Sequence, residues 1–178
     1  MAEVLLRHRF EAAGLPARVS SAGLYKGGSP ATDHAQATMA DRGLDLSHHE
    51  SRTVEPAMID QADLVIGMAR EHVREAVVLR PDSLERTFTL KELVRLGTVA
   101  GPRAAREPLL TWLHRAAGDR SSASMVGVGH DADYDIADPV GGSRLDYETT
   151  ADELDELLAQ LVGLLWPAGE HHEQERSA

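Results

Sequence analysis

One aspartate followed by proline is the part of this sequence best suited to moving a proton. Asp138 and Pro139 stand at the end of an acidic stretch, and two glycines, Gly141 and Gly142, follow them. Proline fixes its own φ and biases the preceding residue towards an extended backbone, which could aim the Asp138 carboxyl into a cleft. A carboxyl group held in this way can act as a general acid or base. An Asp-Pro pair is also typical of an ordinary turn, and the pair alone does not separate the two interpretations.

Three aspartates just before this pair have the alternating spacing of a calcium-binding loop. Asp131, Asp133 and Asp135 occupy the positions of the first ligands of an EF-hand. The sixth position, however, is Ile136 instead of the glycine that the sharp turn requires, and the twelfth is Gly142 instead of a glutamate. We therefore predict no calcium site here.

The other residues that could bind a metal or attack a substrate have unsuitable settings. His48 and His49 are adjacent, adjacent residues rarely ligate one ion, and no third ligand follows at a suitable spacing. The sequence contains no cysteine, which excludes a disulfide, a thiolate zinc site and a cysteine nucleophile within these 178 residues. Ser20 and Ser21 lack the Gly-x-Ser-x-Gly setting of a hydrolase nucleophile. We predict neither a metal nor a cofactor.

Charge and composition exclude several classes of partner. A formal net charge of −11, with no cluster of Lys and Arg, argues against nucleic-acid binding. Aromatic residues make up only 4% of the chain, so stacking platforms for single strands are not expected. No apolar run approaches the roughly 20 residues that cross a bilayer, and no signal peptide precedes the first helix. We predict a cytoplasmic protein that contacts no membrane.

Strand and helix patterns alternate along the chain, which predicts β–α–β units, a parallel sheet and an α/β fold class. The apolar run at residues 62–68 is short and continuous, as in a parallel strand covered on both faces. Two further strands are predicted at residues 17–22 and 86–90. Helices are predicted at residues 1–13, 31–42, 56–61, 70–79, 91–96 and 106–117, the last anchored by Trp112.

The end of the chain holds the clearest helix signal. Thr150 and Glu153 form a capping box, and leucines at helical spacing follow, which predicts a helix over residues 150–165. From Pro167 the composition predicts a disordered acidic tail, so residues 167–178 are assigned to a tail behind one domain.

Five short motifs, taken in order, resemble a known family. They are SSAG (20–23), HESR (49–52), ADLVIGMAREH (62–72), RTFTLKEL (86–93) and DIADPVGGSRLDYETTADEL (135–154). No single motif is specific, but their order and spacing resemble the bacterial low-molecular-weight protein-tyrosine phosphatases. The resemblance covers residues 1–165 except 97–129. That stretch begins with a breaker-rich link at 97–102 and includes a short strand or turn at 125–128. We interpret it as an enlarged insertion in a domain of residues 1–166.

The resemblance implies a fold and a chemistry. The family has a three-layer, Rossmann-like parallel sheet of four strands with helices on both faces. A cysteine thiolate attacks phosphorus, a Cys-x5-Arg loop holds the phosphate, and a carboxylic acid protonates the leaving group. That last role falls to Asp138, the implied substrates are phosphotyrosine proteins or small aryl phosphates, and no metal is needed. The family often has an aromatic residue after Asp-Pro to flank the substrate ring, where this sequence has Val140.

The start of the sequence departs from the family pattern. In the family, the first strand and the phosphate-binding loop precede a Met-Ala-Glu that opens the first helix, and this sequence begins with Met1, Ala2 and Glu3. We therefore expect that loop immediately ahead of residue 1, and we expect the 178 residues alone to be inactive. An alternative is a non-catalytic pseudophosphatase acting as an interaction or regulatory module. A second alternative, an arsenate reductase, would need a nucleophilic cysteine and further resolving cysteines, and the sequence contains none.

Overall fold

The computed structural model of this protein describes residues 1–118, 120 and 131–167. The two strands are β1 (Val65–Gly67) and β2 (Thr87–Thr89). The helices are α1 (Ala2–Ala12), α2 (Asp33–Ala40), α3 (Pro56–Asp60), α4 (Arg70–Leu79), α5 (Leu90–Ala100), α6 (Leu109–Ala117) and α7 (Arg144–Leu165), with a 3₁₀ helix at Pro81–Arg86. None of the helices in this part of the chain is both long and apolar enough to cross a membrane. The strand or turn predicted at 125–128 and the tail from residue 168 lie outside the described residues.

The sheet is built from one parallel β–α–β unit. Strands β1 and β2 pair in parallel, in register from Val65 opposite Thr87 to Gly67 opposite Thr89. Helix α4 connects them and packs against both. All three residues of β2 are buried, and Phe88 is fully enclosed, as expected for a parallel strand covered on both faces. The predicted α/β class with a parallel sheet is confirmed.

Helix α7 organises the main core, because it packs against α1, α2 and α5. Its buried stripe consists of Ala151, Leu154, Leu158, Leu161 and Leu165, which recur at the three- and four-residue intervals of one helix face. Fully burying one leucine contributes about 1.5–3 kcal/mol, so this stripe is a main source of stability. The predicted apolar face is confirmed.

The start of α7 differs from the prediction. The helix begins at Arg144, and Asp146 Oδ2 accepts hydrogen bonds from the backbone N and the Oγ of Ser143, each at 2.7 Å. These bonds lower the pKa of the Asp146 carboxyl. Thr150 lies inside the helix and its Oγ1 donates to Ala137 O at 3.3 Å. The capping box predicted at Thr150 is wrong because its hydroxyl bonds a neighbouring loop and not the start of a helix.

The strand predicted at residues 17–22 is also wrong. Among the described residues, only one parallel bridge is found nearby, between Gly23 and Thr53. The bridge consists of Gly23 N donating to Arg52 O and Val54 N donating to Gly23 O, both at 2.8 Å. An apolar pattern can suit a strand, but a strand also needs the backbone of a partner beside it.

The link predicted to start at residue 97 is replaced by helix. Helix α5 continues through Gly97 to Ala100, and Gly101, whose φ is +82°, follows it. A Cβ at Gly97 would lie 2.9 Å from Leu164 Cδ1 and 3.0 Å from two ring atoms of Trp112. Glycine at this position therefore lets α5, α6 and α7 approach closely, and Trp112 is fully buried as the predicted anchor of α6.

Two helical glycines give a direct test of this packing. Gly97→Ala should lower the free energy of unfolding by about 1–3 kcal/mol, because the added methyl overpacks the contact with Trp112. Gly163→Ala is the control, since a Cβ there meets nothing within 4 Å and alanine is the better helix former. Urea denaturation of both variants checks the prediction, and equal effects of the same sign would contradict it.

Candidate active site

The segment before α7, residues 131–143, is called the acid loop here. It runs past the carboxyl end of β1, because Ile136 N donates a hydrogen bond of 2.8 Å to the O of Met68, the residue that follows β1. Ligands of open parallel sheets bind outside the carboxyl ends of the strands. Asp138, the acid predicted from the sequence, follows Ile136 by two residues and therefore stands at this edge.

The carboxyl of Asp138 is exposed and held in a tight turn. Its Oδ1 accepts a hydrogen bond from Val140 N at 3.0 Å. Pro139 O accepts from Gly142 N at 2.9 Å, and Gly141 has φ of +83°, a conformation that glycine adopts without strain. A carboxyl that is oriented by one backbone amide and open to solvent can bind and release a proton.

Two apolar side chains are exposed close to this carboxyl in the sequence. Val140 is 69% exposed and Leu145, in the first turn of α7, is 67% exposed. Both are aliphatic, so neither offers an aromatic ring for stacking. It could contact the aliphatic part of a bound side chain.

The alternating aspartates organise the acid loop internally. Asp131 N donates to Asp135 Oδ2 at 2.8 Å, and Asp133 N donates to Asp131 Oδ1 at 3.1 Å. The carboxylate of Asp135 is buried and also accepts from the backbone N of Arg70 at 2.8 Å. Their alternating spacing indicated only a calcium loop, so the contact between Asp135 and Arg70 was not predicted. The one available signal was the position of Arg70, directly after a strand and at the start of a helix.

A second cluster joins two motifs that lie apart in the sequence. Glu3, in the first turn of α1, accepts hydrogen bonds from Ser21 Oγ and from Arg7. His49 Nδ1 lies 3.9 Å from Glu3 Oε2, and Arg52 Nε donates to Ser21 O at 3.1 Å. The hydroxyl of Ser21 is thus bonded to a carboxylate that also has other partners. The SSAG and HESR motifs meet at the start of α1.

No group of three His, Asp or Glu side chains suited to a metal ion occurs among residues 1–118, 120 and 131–167. His48 is exposed and precedes His49 of the cluster at the start of α1. His171 and His172 lie outside the described residues.

The parallel β–α–β unit, with an exposed aspartate on the loop that bonds the residue after its first strand, defines an α/β protein with a candidate acid–base site. The model of the family described as low molecular weight phosphotyrosine protein phosphatase matches residues 1–101. A protein-arginine-phosphatase of Bacillus subtilis (strain 168) is 31% identical over 163 residues, covering 91% of this chain and 85% of that protein. The chain therefore belongs to the low-molecular-weight phosphatase family, as the sequence motifs predicted.

Other relatives and solved structures agree with this assignment. A protein-arginine-phosphatase of Geobacillus stearothermophilus is 29% identical over 145 residues, covering 81% of this chain and 74% of that protein. A crystal structure of a YwlE mutant from Bacillus subtilis has a TM-score of 0.65 at 28% identity, covering 90% of this chain and 84% of that chain. The low molecular weight protein tyrosine phosphatase of T. tengcongensis gives 0.68 at 26% identity, covering 92% and 88%. The family model ends before Asp138, so the catalytic role of that residue stays a prediction.

Proposed function

We propose that this chain is the acid-carrying part of a phosphoprotein phosphatase that works through a phosphocysteine. The observation that supports this most is that Asp138, an exposed aspartate, lies two residues after Ile136, whose backbone N bonds the residue that follows β1, in a chain of a phosphatase family. The proposed compartment is the cytoplasm, where a catalytic thiol stays reduced.

The proposed reaction has two steps. First, a cysteine thiolate attacks phosphorus in line and an S–P bond forms, while the bond breaks from phosphorus to the leaving atom, which is the phenol oxygen of phosphotyrosine or the guanidino nitrogen of phosphoarginine. Asp138 gives its proton to that leaving atom, so that the dephosphorylated side chain does not have to leave as an anion. Second, the Asp138 carboxylate takes a proton from water, the water oxygen attacks phosphorus, and the S–P bond breaks. Inorganic phosphate leaves, and the thiolate and the protonated acid are restored.

The thiolate must come from outside these 178 residues, because they contain no cysteine. The proposed reaction requires a Cys-x5-Arg loop that holds the phosphate beside the start of α1. The family joins this loop to a Met-Ala-Glu helix start, which is the sequence of residues 1–3. Met1 gives α1 no side-chain cap, so a phosphate could accept hydrogen bonds from the first amides of the helix.

The proposed substrates are phosphorylated protein side chains, with two candidates. Phosphotyrosine is the substrate that the resemblance implies. Phosphoarginine is favoured by two curated relatives, both described as protein-arginine-phosphatases. The aliphatic Val140 beside the acid offers no stacking surface for a phenol ring, which makes a comparison of the two substrates informative.

Turnover assays on three proteins test the proposal. They are the 178-residue chain, the same chain with a family strand and Cys-x5-Arg-Ser-Pro loop joined ahead of Met1, and the joined chain with its cysteine changed to serine. We expect hydrolysis of p-nitrophenyl phosphate, inhibited by vanadate, only by the joined chain with its cysteine. Phosphotyrosine and phosphoarginine peptides then rank the substrates.

The alternative is the non-catalytic pseudophosphatase, an interaction or regulatory module. It would be supported by a joined chain that folds with a cooperative melt but hydrolyses none of these substrates. That result would overturn the proposed phosphatase reaction.

A further inference from the structure

The buried carboxylate of Asp135 joins the acid loop to the start of α4. It is only 4% exposed, so both of its oxygens need hydrogen-bond partners. Oδ1 accepts from Arg70 N and Oδ2 accepts from Asp131 N, each at 2.8 Å. One side chain therefore fixes the position of the loop against a helix and also closes the loop on itself.

The bond to Arg70 replaces a cap that α4 lacks in its own sequence. The N-cap position is Ala69, whose methyl side chain cannot accept a hydrogen bond. His72 Nδ1 accepts from Ala69 N at 3.0 Å, and Asp135 accepts from the next amide along. A carboxylate at the positive end of a helix is stabilised there, which favours this position of the loop.

The guanidinium group of Arg70 places a positive charge beside the carboxylates of the acid loop. Its Nε lies 3.6 Å from Asp135 Oδ1, and its Nη1 lies 3.5 Å from Asp131 Oδ2. The ring of Tyr134 lies near two arginines, with the Cζ atoms of Arg70 and Arg95 each 5.6 Å from its centroid. Asp131, Tyr134 and Asp135 are therefore each held by contacts with arginine side chains.

The residues between Asp135 and the predicted acid, Asp138, are also held by hydrogen bonds. Ile136 N is bonded to Met68 O at 2.8 Å, and Ala137 O accepts from Thr150 Oγ1 at 3.3 Å. Asp138 comes next, before a proline that fixes its own φ. Each residue from 135 to 137 thus has a hydrogen bond to another element, and little backbone freedom remains for Asp138.

We propose that Asp135 is a positioning residue for Asp138: its carboxylate holds the acid loop on α4 so that the Asp138 carboxyl stays at the carboxyl end of β1. This inference rests on the proposed function for its catalytic meaning. Its structural content concerns the position of Asp138 and can be tested without turnover.

The test uses NMR on the 178-residue chain. Since Val140 N donates to Asp138 Oδ1, the amide proton shift of Val140 should change as Asp138 ionises. Loss of that change in Asp138→Asn assigns it to this carboxyl. We expect Asp135→Ala to reduce the amplitude of the change at least twofold. Asp135→Asn, which keeps one oxygen for Arg70 N but turns an NH₂ donor towards Asp131 N, should give an intermediate amplitude.

The control separates positioning from a general loss of stability. Phe10→Leu weakens the edge-to-face contact with Trp166, which follows the far end of α7. The 22 residues of α7, at a rise of 1.5 Å each, separate this contact from the acid loop by about 33 Å. The substitution should lower the melting temperature and leave the Val140 amplitude unchanged. If Asp135→Ala does not fold, the amplitude of the Val140 shift change in Asp135→Asn decides the test. The decisive case is a folded Asp135 variant in which the amide shift of Arg70 or Asp131 has moved, which shows that the contact is lost. If the Val140 amplitude is unchanged in that variant, the inference is overturned, whatever the turnover assays show.

Discussion

Arg120→Ala should lower the free energy of unfolding by about 3–5 kcal/mol, because it leaves a buried carboxylate without its partner. Arg120 Nε and Nη2 donate to the two oxygens of Glu92, each at 2.8 Å, and both side chains are less than a tenth exposed. The guanidinium also lies 4.2 Å from the centroid of Phe88, at the middle of β2. The substitution therefore removes a bidentate ion pair and a cation–π contact from the base of the sheet.

A surface pair provides the matched control for this substitution. Arg80 Nε donates to Asp60 at 2.7 Å, but the two side chains are 40% and 51% exposed. Arg80→Ala should cost only about 1 kcal/mol or less, since exposed pairs are solvated in both states. Urea denaturation of the two variants measures the difference. Equal losses would show that the Arg120–Glu92 pair contributes no more than a surface pair.

Asp138→Ala should slow turnover of a phosphomonoester with a poor leaving group by about 10²–10⁴-fold in the chain that carries the Cys-x5-Arg loop. Without a proton donor the substrate oxygen must leave as an anion, which raises the barrier. The thiolate and the phosphate-binding loop are unaffected, so inhibition by vanadate should persist. Steady-state kinetics with phenyl phosphate checks the prediction.

Asp133→Ala is the control for this experiment. Asp133 is an exposed aspartate of the same loop, and its backbone N, which the substitution keeps, makes its contact with Asp131. Its loss changes the charge near the site as Asp138→Ala does but removes no proposed proton donor. A similar loss of rate in both variants would assign the effect to charge in general and contradict the role of Asp138.

The central β–α–β unit was predictable because its signals are local. The apolar run around Val65 and the periodic helix of residues 70–79 need no information about partners, and both predictions are confirmed. The family assignment from ordered motifs is confirmed as well.

The wrong predictions share a physical cause, namely dependence on tertiary partners. Residues 17–22 have a strand-like pattern, but in the part of the chain that the structure describes they pair with no strand, and the adjacent Gly23 makes a single bridge. Thr150 has the sequence setting of a cap, yet its hydroxyl bonds the acid loop. Gly97 would break an isolated helix, but close packing against Trp112 keeps it inside α5.

Of the candidate site, only the exposed residue, Asp138, was predictable from the sequence. Asp138 could be proposed because proline and a family motif mark it. Asp135 was missed because its partner, Arg70, lies 65 residues earlier, and only the fold brings the two together.

A leaving-group series tests the central claim, that Asp138 is the general acid, most directly. The ratio of kcat/KM between the loop-bearing chain and its Asp138→Ala variant is measured for aryl phosphates whose phenols have pKa values from about 7 up to the value of about 10 typical of tyrosine. The proposed mechanism predicts that the ratio rises steeply with the pKa of the phenol, because only poor leaving groups need the proton. A ratio that stays constant across the series would contradict it.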